Sequence, residues 1–427
     1  MERESIQKAI DYIEEHLGCD MEASDLADAT GYSLYHFCRS FHHATGMPVM
    51  QYILVRRLLH AIYDMACGRK KTDAALDWGF MTYAGFYRSF VREFGYTPAE
   101  YLRKFQVRRP YHIDLNQEEQ PMVSKKAIQE VLALWGMEGA RISDAAGAGR
   151  RGDVKYVGDE YVLRCTRHLS HVLNAVQVCK ALLETGLSAP DIIQTPDGES
   201  YAEQGGMYYF LSRRMRGHSI LAGSVRPGTD GTSARQIGEM VGRLDLALHT
   251  IDVPVDTADA LADVRDWALP ALRRMLSIDR AFEETFISNL ERLYPVLPRQ
   301  IIHRDPNPGN IMVDGGFWGF VDFDLSERNA RLCDPCYAAT AILSETYEEG
   351  NEEQLFVWVG NMKEILSGYD AVCHLTREEW EAVPYLLLSI QFIATAWFSG
   401  KARFQELFET NLHMTAWMLS HFDALSI

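Results

Sequence analysis

The sequence predicts two unlike folds in one multidomain chain, an all-α N-terminal domain followed by a larger α+β domain. At 427 residues, the chain is longer than one ordinary hydrophobic core organises. A pattern of short helix, glycine and second helix occurs twice in the first hundred residues. Further along, short strand-like segments at 140–165 and 301–324 are followed by long helical segments.

The charge of the chain is unevenly distributed along its length. The formal net charge is −17, which by itself argues against a nucleic-acid-binding protein. Residues 1–30, however, carry 2 basic and 9 acidic side chains, whereas residues 31–110 carry 12 basic and 5 acidic ones. The first 110 residues are therefore neutral in sum and have a basic side, so binding to DNA is not excluded.

Three features of the sequence favour a cytoplasmic protein. The N-terminus has no basic-then-apolar signal pattern. The uncharged stretch Ala382–Gly400 contains Pro384 and Gln391, so it is predicted to be a buried helix and not a membrane span. The eight cysteines are scattered and expected to be reduced, and the CxxC of Cys333 and Cys336 lacks the second pair that a zinc site needs.

The first helical repeat occupies the N-terminal 46 residues. Apolar residues at helical spacing predict an amphipathic helix that ends near Gly18. A short helix closed by Gly31 follows, and Ser33 then caps a second helix, Leu34–Thr45, which Gly46 closes. Two helices joined by a glycine turn predict a helix-turn-helix.

The second repeat has the same organisation. A short helix at 72–78 ends in the Gly79 turn, and a second helix, Thr82–Phe94, is closed by Gly95. A long helix with an apolar stripe, Val49–Cys67, is predicted between the two repeats. Because the pattern recurs in detail, the sequence predicts a double helix-turn-helix.

The repeated segments "YHFCRSFHHATGMP" and "YAGFYRSFVREFGYTP" resemble the AraC/XylS DNA-binding domain over about residues 5–105. The resemblance implies two recognition helices in successive major grooves, about 34 Å apart. The positions that it implies face the bases are Tyr35, Cys38, Arg39, Tyr83, Ala84, Tyr87 and Arg88. Arginine can pair with guanine, although the alternative is that both arginines contact phosphates. The spacing of Phe37, Phe41, Phe86 and Phe90 predicts core positions.

The domain boundaries follow from these patterns. The predicted DNA-binding domain covers residues 1–107, and the polar, unpatterned segment 108–121 is predicted to be a linker. The remaining chain is divided into an N-terminal part, 122–217, and a C-terminal part, 218–427.

The most informative segment of the second domain lies between residues 301 and 324. An apolar pair leads into His303-Arg-Asp305, and Asn310 follows before an Ile-Met-Val strand. A further short strand ends at Asp322, which is followed by Phe323 and Asp324. Loops at the ends of two strands bring an aspartate, an amide and a second aspartate together. Phosphoryl transfer from ATP requires one carboxylate that accepts a hydroxyl proton. It also requires oxygen ligands for Mg²⁺, which an amide and a second carboxylate can supply.

This HxDxxxxN…DxD pattern resembles the aminoglycoside phosphotransferase/choline kinase superfamily over about residues 122–427. The resemblance implies a bilobal protein-kinase-like α+β fold with ATP and Mg²⁺ as cofactors. It further implies that Asp305 is the catalytic base, that Asn310 and Asp322 are the Mg²⁺ ligands, and that His303 braces the loop.

The N-terminal lobe departs from the family pattern. Three short strands are predicted at 140–143, 153–157 and 161–165, with a glycine-rich stretch between the first two. Gly147 and Gly149 in this stretch are predicted to cover the nucleotide, although a plain hairpin turn is the alternative. Arg164 stands where the family has its phosphate-binding lysine. The family's glutamate partner is missing, because Ala175 or its neighbour Asn174 occupies that place.

Three functional hypotheses follow from this combination. The first is a transcriptional regulator that binds double-stranded DNA and whose second domain binds a nucleotide and a small hydroxylated ligand. The second is a bifunctional enzyme that phosphorylates a small alcohol and controls its own gene. The third is an inactive kinase-like scaffold that supports a homodimer. The complete Asp305, Asn310 and Asp322 set disfavours the third, whereas the missing glutamate favours it.

Overall fold

A computed structural model provides the structure of the protein. It describes residues 2–45, 47–94, 96–104, 125–144, 154–225, 233–401 and 404–426, together with residues 107, 110, 113 and 115. The closing glycines Gly46 and Gly95, and the candidate nucleotide-covering Gly147 and Gly149, lie outside the described residues.

Helices joined by short turns make up the described part of the N-terminal domain. Its helices are α1 (Glu2–Glu15), α2 (Ala23–Thr30), α3 (Leu34–Thr45), α4 (Val49–Ala66), α5 (Lys71–Asp77), α6 (Tyr83–Phe94) and α7 (Pro98–Lys104). Gly31 and Gly79 adopt the left-handed backbone conformation in the turns after α2 and α5, with φ of 72° and 78°. A side chain would be strained there, which explains the glycine in each turn.

Each helix-turn-helix has its own hydrophobic core. Phe37 and Phe41 are fully buried with α1 and the first half of α4, whereas Phe86 and Phe90 are fully buried with the second half of α4 and α5. The core positions predicted for these four residues are confirmed. Because α4 contributes to both cores, it fixes one repeat against the other.

Arg57 on α4 strengthens this connection. Its guanidinium donates to the backbone carbonyls of Leu17 and Cys19 at the end of α1. A side chain at Gly79 would approach the same guanidinium to 2.9 Å. Gly79 therefore serves two purposes, the left-handed turn after α5 and the close approach of Arg57.

A buried ion pair joins α1 to α4. Arg56 is 2% exposed, and its Nε lies 2.6 Å from Glu14 Oε1. Burial opposes ionisation of Glu14, but the nearby His60 ring, 3.7 Å away, and the hydrogen bonds from Arg56 outweigh it and lower the pKa of Glu14 to about 2. The stability that this carboxylate contributes is therefore present above pH 4.5 and is lost as the pH falls towards 2.

Replacing Arg56 by alanine is expected to lower the free energy of unfolding of the N-terminal domain by about 3 kcal/mol, because a buried charge loses its partner. Hydrogen exchange at the slowest amides of α4 in the full-length protein measures this change. Arg69→Ala is the matched control, because Arg69 is half exposed and pairs with Asp64, so it is expected to cost less than about 1 kcal/mol. Equal costs for the two variants would contradict the importance of the buried pair.

Two residues of the predicted linker pack onto the N-terminal domain. Ile113 and Leu115 are 5% and 4% exposed and belong to the core of the first repeat. Gln7 on α1 donates to the Ile113 carbonyl at 2.9 Å and accepts from the Leu115 amide at 2.6 Å. The polar composition of 108–121 gave no indication of this attachment.

An antiparallel sheet follows in the chain. Its strands are β1 (Ile142–Asp144), β2 (Val154–Val157), β3 (Tyr161–Thr166), β4 (Ile192–Ile193), β5 (Ala202–Gln204) and β6 (Met207–Arg213), in the order β1-β2-β3-β6-β4 with β5 also pairing β6. Helix α8 (Lys125–Leu132) contributes Ile128 and Val131 to the core beneath this sheet. The three strands predicted between 140 and 165 are found within one residue or two of their expected bounds.

The rest of the chain is mainly helical. Its helices are α9 (Leu169–Thr185), α10 (Ala234–Thr250), α11 (Ala260–Ala262), α12 (Leu269–Leu272), α13 (Arg280–Leu293), α14 (Cys333–Thr346), α15 (Glu352–Cys373), α16 (Arg377–Phe398) and α17 (Gln405–Ser420). Its short strands are β7 (His218–Ser219), β8 (Arg299–Ile302), β9 (Ile311–Asp314), β10 (Phe317–Phe320) and β11 (Glu327–Ala330). They form two small antiparallel sheets, β10-β9-β7 and β11-β8.

The chain divides into two compact units. One comprises residues 1–169 and 192–214, and the other comprises residues 170–191 and 215–427. Almost all of α9 thus belongs with the C-terminal helices, although it precedes β4 in the sequence. The boundaries predicted from sequence, 107, 121 and 217, stay a prediction.

Within the described part of the chain, only α16 is long and apolar enough to span a membrane. Its most apolar window is 61% buried, and Pro384, Gln391 and Thr395 lie inside the helix with little or no exposure. Such burial is typical of a core helix in a globular domain, as predicted for the uncharged stretch 382–400.

Candidate functional site

The residues predicted to read DNA lie on α3 and α6. Tyr35 is 77% exposed and Arg39 is exposed on the same helix. Ala84, Tyr87 and Arg88 are exposed on α6. Each helix therefore presents at least one arginine and at least one aromatic ring to solvent, which is the combination that can contact guanine and thymine edges.

Two of the predicted base-facing residues are less accessible. Cys38 is partly buried and packs against the core of the first repeat. Tyr83 packs its ring against Phe86 and Tyr87, at centroid distances of 5.7 Å and 6.4 Å, and burial raises its pKa. Their predicted roles in DNA recognition stay a prediction.

The loop that carries Asp305 begins where β8 ends. Arg304 has a left-handed backbone with φ of 72°, a conformation that costs energy in a residue with a side chain. The Asp334 carboxylate holds this turn, because it accepts the amide of His303 at 2.7 Å and the amide of Arg304 at 2.8 Å. Asp334 lies in the first turn of α14 and is fully buried.

The His303 ring connects this loop to the next one. The ring is fully buried, its Nδ1 accepts the Asp305 amide at 3.3 Å, and its Nε2 lies 3.0 Å from the Val321 carbonyl. Since Nδ1 accepts and Nε2 donates, the ring is the neutral Nε2–H tautomer. Val321 immediately precedes Asp322, so one imidazole braces both loops.

Two asparagine side chains, those of Asn307 and Asn310, donate hydrogen bonds to Asp305. Asn307 Nδ2 donates to Asp305 Oδ1 at 2.7 Å. Asn310 Nδ2 donates to the Asp305 carbonyl at 2.9 Å, which turns its Oδ1 to the other side as a candidate ligand atom. The carboxylate that would accept a proton and the amide that would bind a cation are thus fixed relative to each other.

Asp322 has an unusual backbone and a secure position. Its φ is 76°, again in the left-handed region, and Phe323 behind it packs on the His303 ring at a centroid distance of 4.6 Å. The Val321 amide donates to the Asn310 carbonyl at 3.0 Å. The Asp322 carboxylate and the Asn310 amide oxygen are the hard oxygen donors that Mg²⁺ prefers, so the residues present fit a magnesium site.

A second buried carboxyl lies behind the loop. Asp245 on α10 lies close enough to Asp334 for the two carboxylates to repel each other, and its Oδ2 accepts the Tyr369 hydroxyl at 2.6 Å. Among the described residues, no N–H or O–H reaches its Oδ1, so we expect the two carboxyls to share a proton. Burial and the mutual repulsion raise the pKa of Asp245, and burial raises the pKa of Asp334 to about 7.

The Asp245–Asp334 pair predicts a pH dependence of stability. A carboxyl whose pKa is raised by folding contributes stability at low pH that is lost as the pH rises from about 4 through 7, by up to about 1.4 kcal/mol per pH unit. Asp245→Asn supplies an amide donor in place of the shared proton and is expected to remove this loss. Urea denaturation at pH 5 and pH 8 measures the free energy of unfolding at the two pH values. The control is Asp314→Asn, the same substitution at an exposed aspartate. Equal pH dependence in the wild type and Asp245→Asn would contradict the shared proton.

In the first unit, Arg164 lies in the middle of the sheet. It is on β3, paired with Val154 of β2 and Phe210 of β6, and is partly buried. A cationic side chain on a central strand agrees with the position that the sequence suggested. Its role towards a nucleotide stays a prediction, and Gly147 and Gly149 are not among the described residues.

Asn174 on α9 has a partner that the sequence did not reveal. It is 8% exposed and donates to the carbonyls of Asp324 and Ser326, and its neighbour Ala175 is buried as well. Asp334 and Asn307 were also missed as members of the site. The Asp334-Pro335 pair, which follows Asp322 by twelve residues, was a signal that could have indicated Asp334.

The fold and the loop geometry together define a two-domain protein, a helical DNA-binding domain joined to a kinase-like domain. A model of the phosphotransferase enzyme family matches residues 144–364, and a helix-turn-helix domain model matches residues 26–104. The first match spans more than half of the chain, so the protein belongs to the phosphotransferase enzyme family. Its N-terminal domain is an AraC-type helix-turn-helix domain, and the predicted fold class is confirmed.

Curated relatives match the N-terminal domain. The regulatory protein SoxS of Salmonella typhimurium is 34% identical over 97 residues, which are 22% of this chain and 91% of SoxS. The uncharacterised HTH-type transcriptional regulator YbfP of Bacillus subtilis is 32% identical over 98 residues, which are 23% of this chain and 33% of YbfP.

Solved structures match the rest of the chain. A microcompartment-associated aminopropanol kinase superimposes with a TM-score of 0.52 at 14% identity, covering 70% of this chain and 98% of the kinase. The amicoumacin kinase, solved in complex with AMP-PNP, Ca²⁺ and amicoumacin, gives a TM-score of 0.52 at 13% identity, covering 70% and 93%. At these identities the likeness shows the fold alone.

Proposed function

We propose that the protein is a sequence-specific transcriptional regulator whose kinase-like domain binds Mg·ATP and transfers phosphate to a hydroxyl of a small molecule. The observation that carries the catalytic part is the braced set of Asp305, Asn310 and Asp322. His303 and Asp334 hold these residues through backbone contacts. A scaffold with no chemistry to perform would have little use for two left-handed non-glycine residues in these loops.

The proposed reaction assigns a role to each side chain. The Asp305 carboxylate orients the acceptor hydroxyl and takes its proton, while Asn307 keeps the carboxylate turned towards it. Asn310 and Asp322 would hold Mg²⁺, which when bound neutralises charge on the phosphate oxygens. Arg164 would contribute positive charge to the phosphates in place of the family's lysine.

The proposed regulatory role combines the two domains. Tyr35, Arg39, Tyr87 and Arg88 would contact an operator, and occupancy of the kinase-like domain by nucleotide and a small hydroxylated ligand would change DNA affinity. A protein that senses this ligand without phosphorylating it is the second candidate. An uncharged residue, Ala175 or its neighbour Asn174, stands where the family has its glutamate, and this departure from the family pattern favours that alternative.

Two measurements test the proposal. A rise in melting temperature with Mg·ATP, absent with Mg²⁺ alone, is expected if the nucleotide site is intact. ATP consumption that depends on one member of a panel of hydroxylated amines is expected if phosphate is transferred. Binding of Mg·ATP with no turnover on any acceptor would favour a domain that senses the ligand without phosphorylating it. The absence of Mg·ATP binding would contradict both the phosphotransferase and the sensor hypotheses.

A further inference from the structure

Asn174 is tied to the loop that carries the metal-ligand candidate Asp322. Its side-chain nitrogen lies 3.0 Å from the Ser326 carbonyl oxygen and 3.3 Å from the Asp324 carbonyl oxygen. A side-chain amide has two N–H donors, so one group can serve both carbonyls. All three residues are nearly or fully buried, at 8% exposed or less.

The loop is held at both ends. At its start, Val321 donates to the Asn310 carbonyl and accepts from His303 Nε2. At its other end, Asn174 is bonded to residues 324 and 326. Asp322 lies between the two anchors with a φ of 76°. A strained backbone conformation persists only where the surrounding contacts hold it in place. Here one of the two anchors that hold Asp322 comes from α9.

We propose that Asn174 is a positioning residue that holds the 321–326 loop in the conformation in which Asp322 can bind Mg²⁺. This inference rests on the proposed binding of Mg·ATP. Asn174 acts on the cation through the backbone of the loop and does not touch the substrate. Asn174, one of the two residues that stand where the family has its glutamate, thus joins α9 to the metal loop directly.

The chemistry of the contact explains why an amide stands here. A carboxylate offers no N–H or O–H donor and would place negative charge against two carbonyl oxygens. Asn174→Asp keeps the shape of the side chain and removes its donors, so it is expected to release the end of the loop. Asn174→Ala removes the donors without adding charge and serves where the aspartate variant fails to fold.

The experiment compares the wild type, Asn174→Asp, Asn174→Ala and a matched control, all as the full-length chain. The control is Asn289→Asp, the same change at a partly exposed asparagine whose amide also donates to a backbone carbonyl. Hydrogen exchange without ligand is read at the Val321 and Ser326 amides and at amides of α15. The Mg²⁺ concentration that gives half of the ATP-dependent thermal shift is then measured.

We expect the Val321 and Ser326 amides to exchange faster in both Asn174 variants while the α15 amides are unchanged. The half-saturating Mg²⁺ concentration is expected to rise roughly 10- to 100-fold, the usual effect of losing a group that orients a metal ligand. The Asn289→Asp control is expected to match the wild type in both measurements.

Three results would overturn the inference, and they are distinguishable. If the wild type responds to Mg·ATP and the Asn174 variants respond at the same Mg²⁺ concentration with the same loop exchange, Asn174 has no positioning role. If the wild type itself does not respond to Mg·ATP, the proposed function is wrong and the inference falls with it. Faster exchange throughout α15 would show a merely structural role and would also overturn it.

Discussion

Asp305→Asn is expected to lower the turnover of ATP with a hydroxylated acceptor by about 100- to 10,000-fold, the contribution of a positioned general base. Asparagine has the same shape as aspartate but cannot accept the hydroxyl proton. Its Oδ1 can still accept from Asn307, so the loop is expected to keep its conformation. The thermal shift with Mg·ATP is therefore expected to remain close to that of the wild type, because Asp305 is not one of the proposed metal ligands.

Asp314→Asn provides the matched control for this experiment. Asp314 is exposed at the end of β9, nine residues after Asp305, so the substitution changes the charge of the same domain without touching the loop. Its turnover is expected to equal that of the wild type. Turnover that persists in Asp305→Asn would show that another group accepts the proton. Loss of both turnover and the Mg·ATP shift would show that Asp305 has a role in binding.

The double variant Arg39→Ala, Arg88→Ala is expected to lose about 2–6 kcal/mol of binding to a cognate DNA duplex, since each arginine–guanine contact contributes about 1–3 kcal/mol. Both side chains are exposed on their helices, so the fold is expected to be unchanged. The measurement is a titration against a duplex selected from a random library, repeated over a range of salt concentrations.

The salt dependence separates the two roles considered for these arginines. If they read bases, binding to the selected duplex falls much more than binding to an unrelated duplex. If they contact only phosphates, both affinities fall alike and the salt slope decreases by about one for each arginine. Arg69→Ala, at a half-exposed arginine outside α3 and α6, is expected to leave specific binding unchanged. Unaltered affinity in the double variant would contradict the recognition surface.

The local features of the protein were predictable because they depend on neighbours in sequence. Helix α3 has the bounds that the Ser33 cap and the apolar spacing predict, and Ser33 Oγ accepts the His36 amide at 3.4 Å. The burial of Phe37 and Phe86 follows from helical periodicity alone. The order of polar residues between 303 and 322 likewise indicated where the catalytic loop would lie.

What the sequence could not reveal depends on contacts between distant segments. Asn174 meets a loop about 150 residues further along, and Asp245 meets Asp334 from another helix. Nothing in the pattern around either residue distinguishes it from an ordinary polar position in a helix. Ile113 was assigned to a polar linker for the same reason, since its burial depends on Gln7 more than a hundred residues earlier.

The His303 imidazole gives the kinase-like domain an internal spectroscopic reporter. Because one ring nitrogen carries a hydrogen and the other accepts one, the two nitrogens are chemically inequivalent and resonate far apart in nitrogen NMR spectra. Each belongs to a different loop contact, one to Asp305 and the other to Val321. A single isotopically labelled histidine can therefore show, for every variant and ligand, which of the two loops has moved.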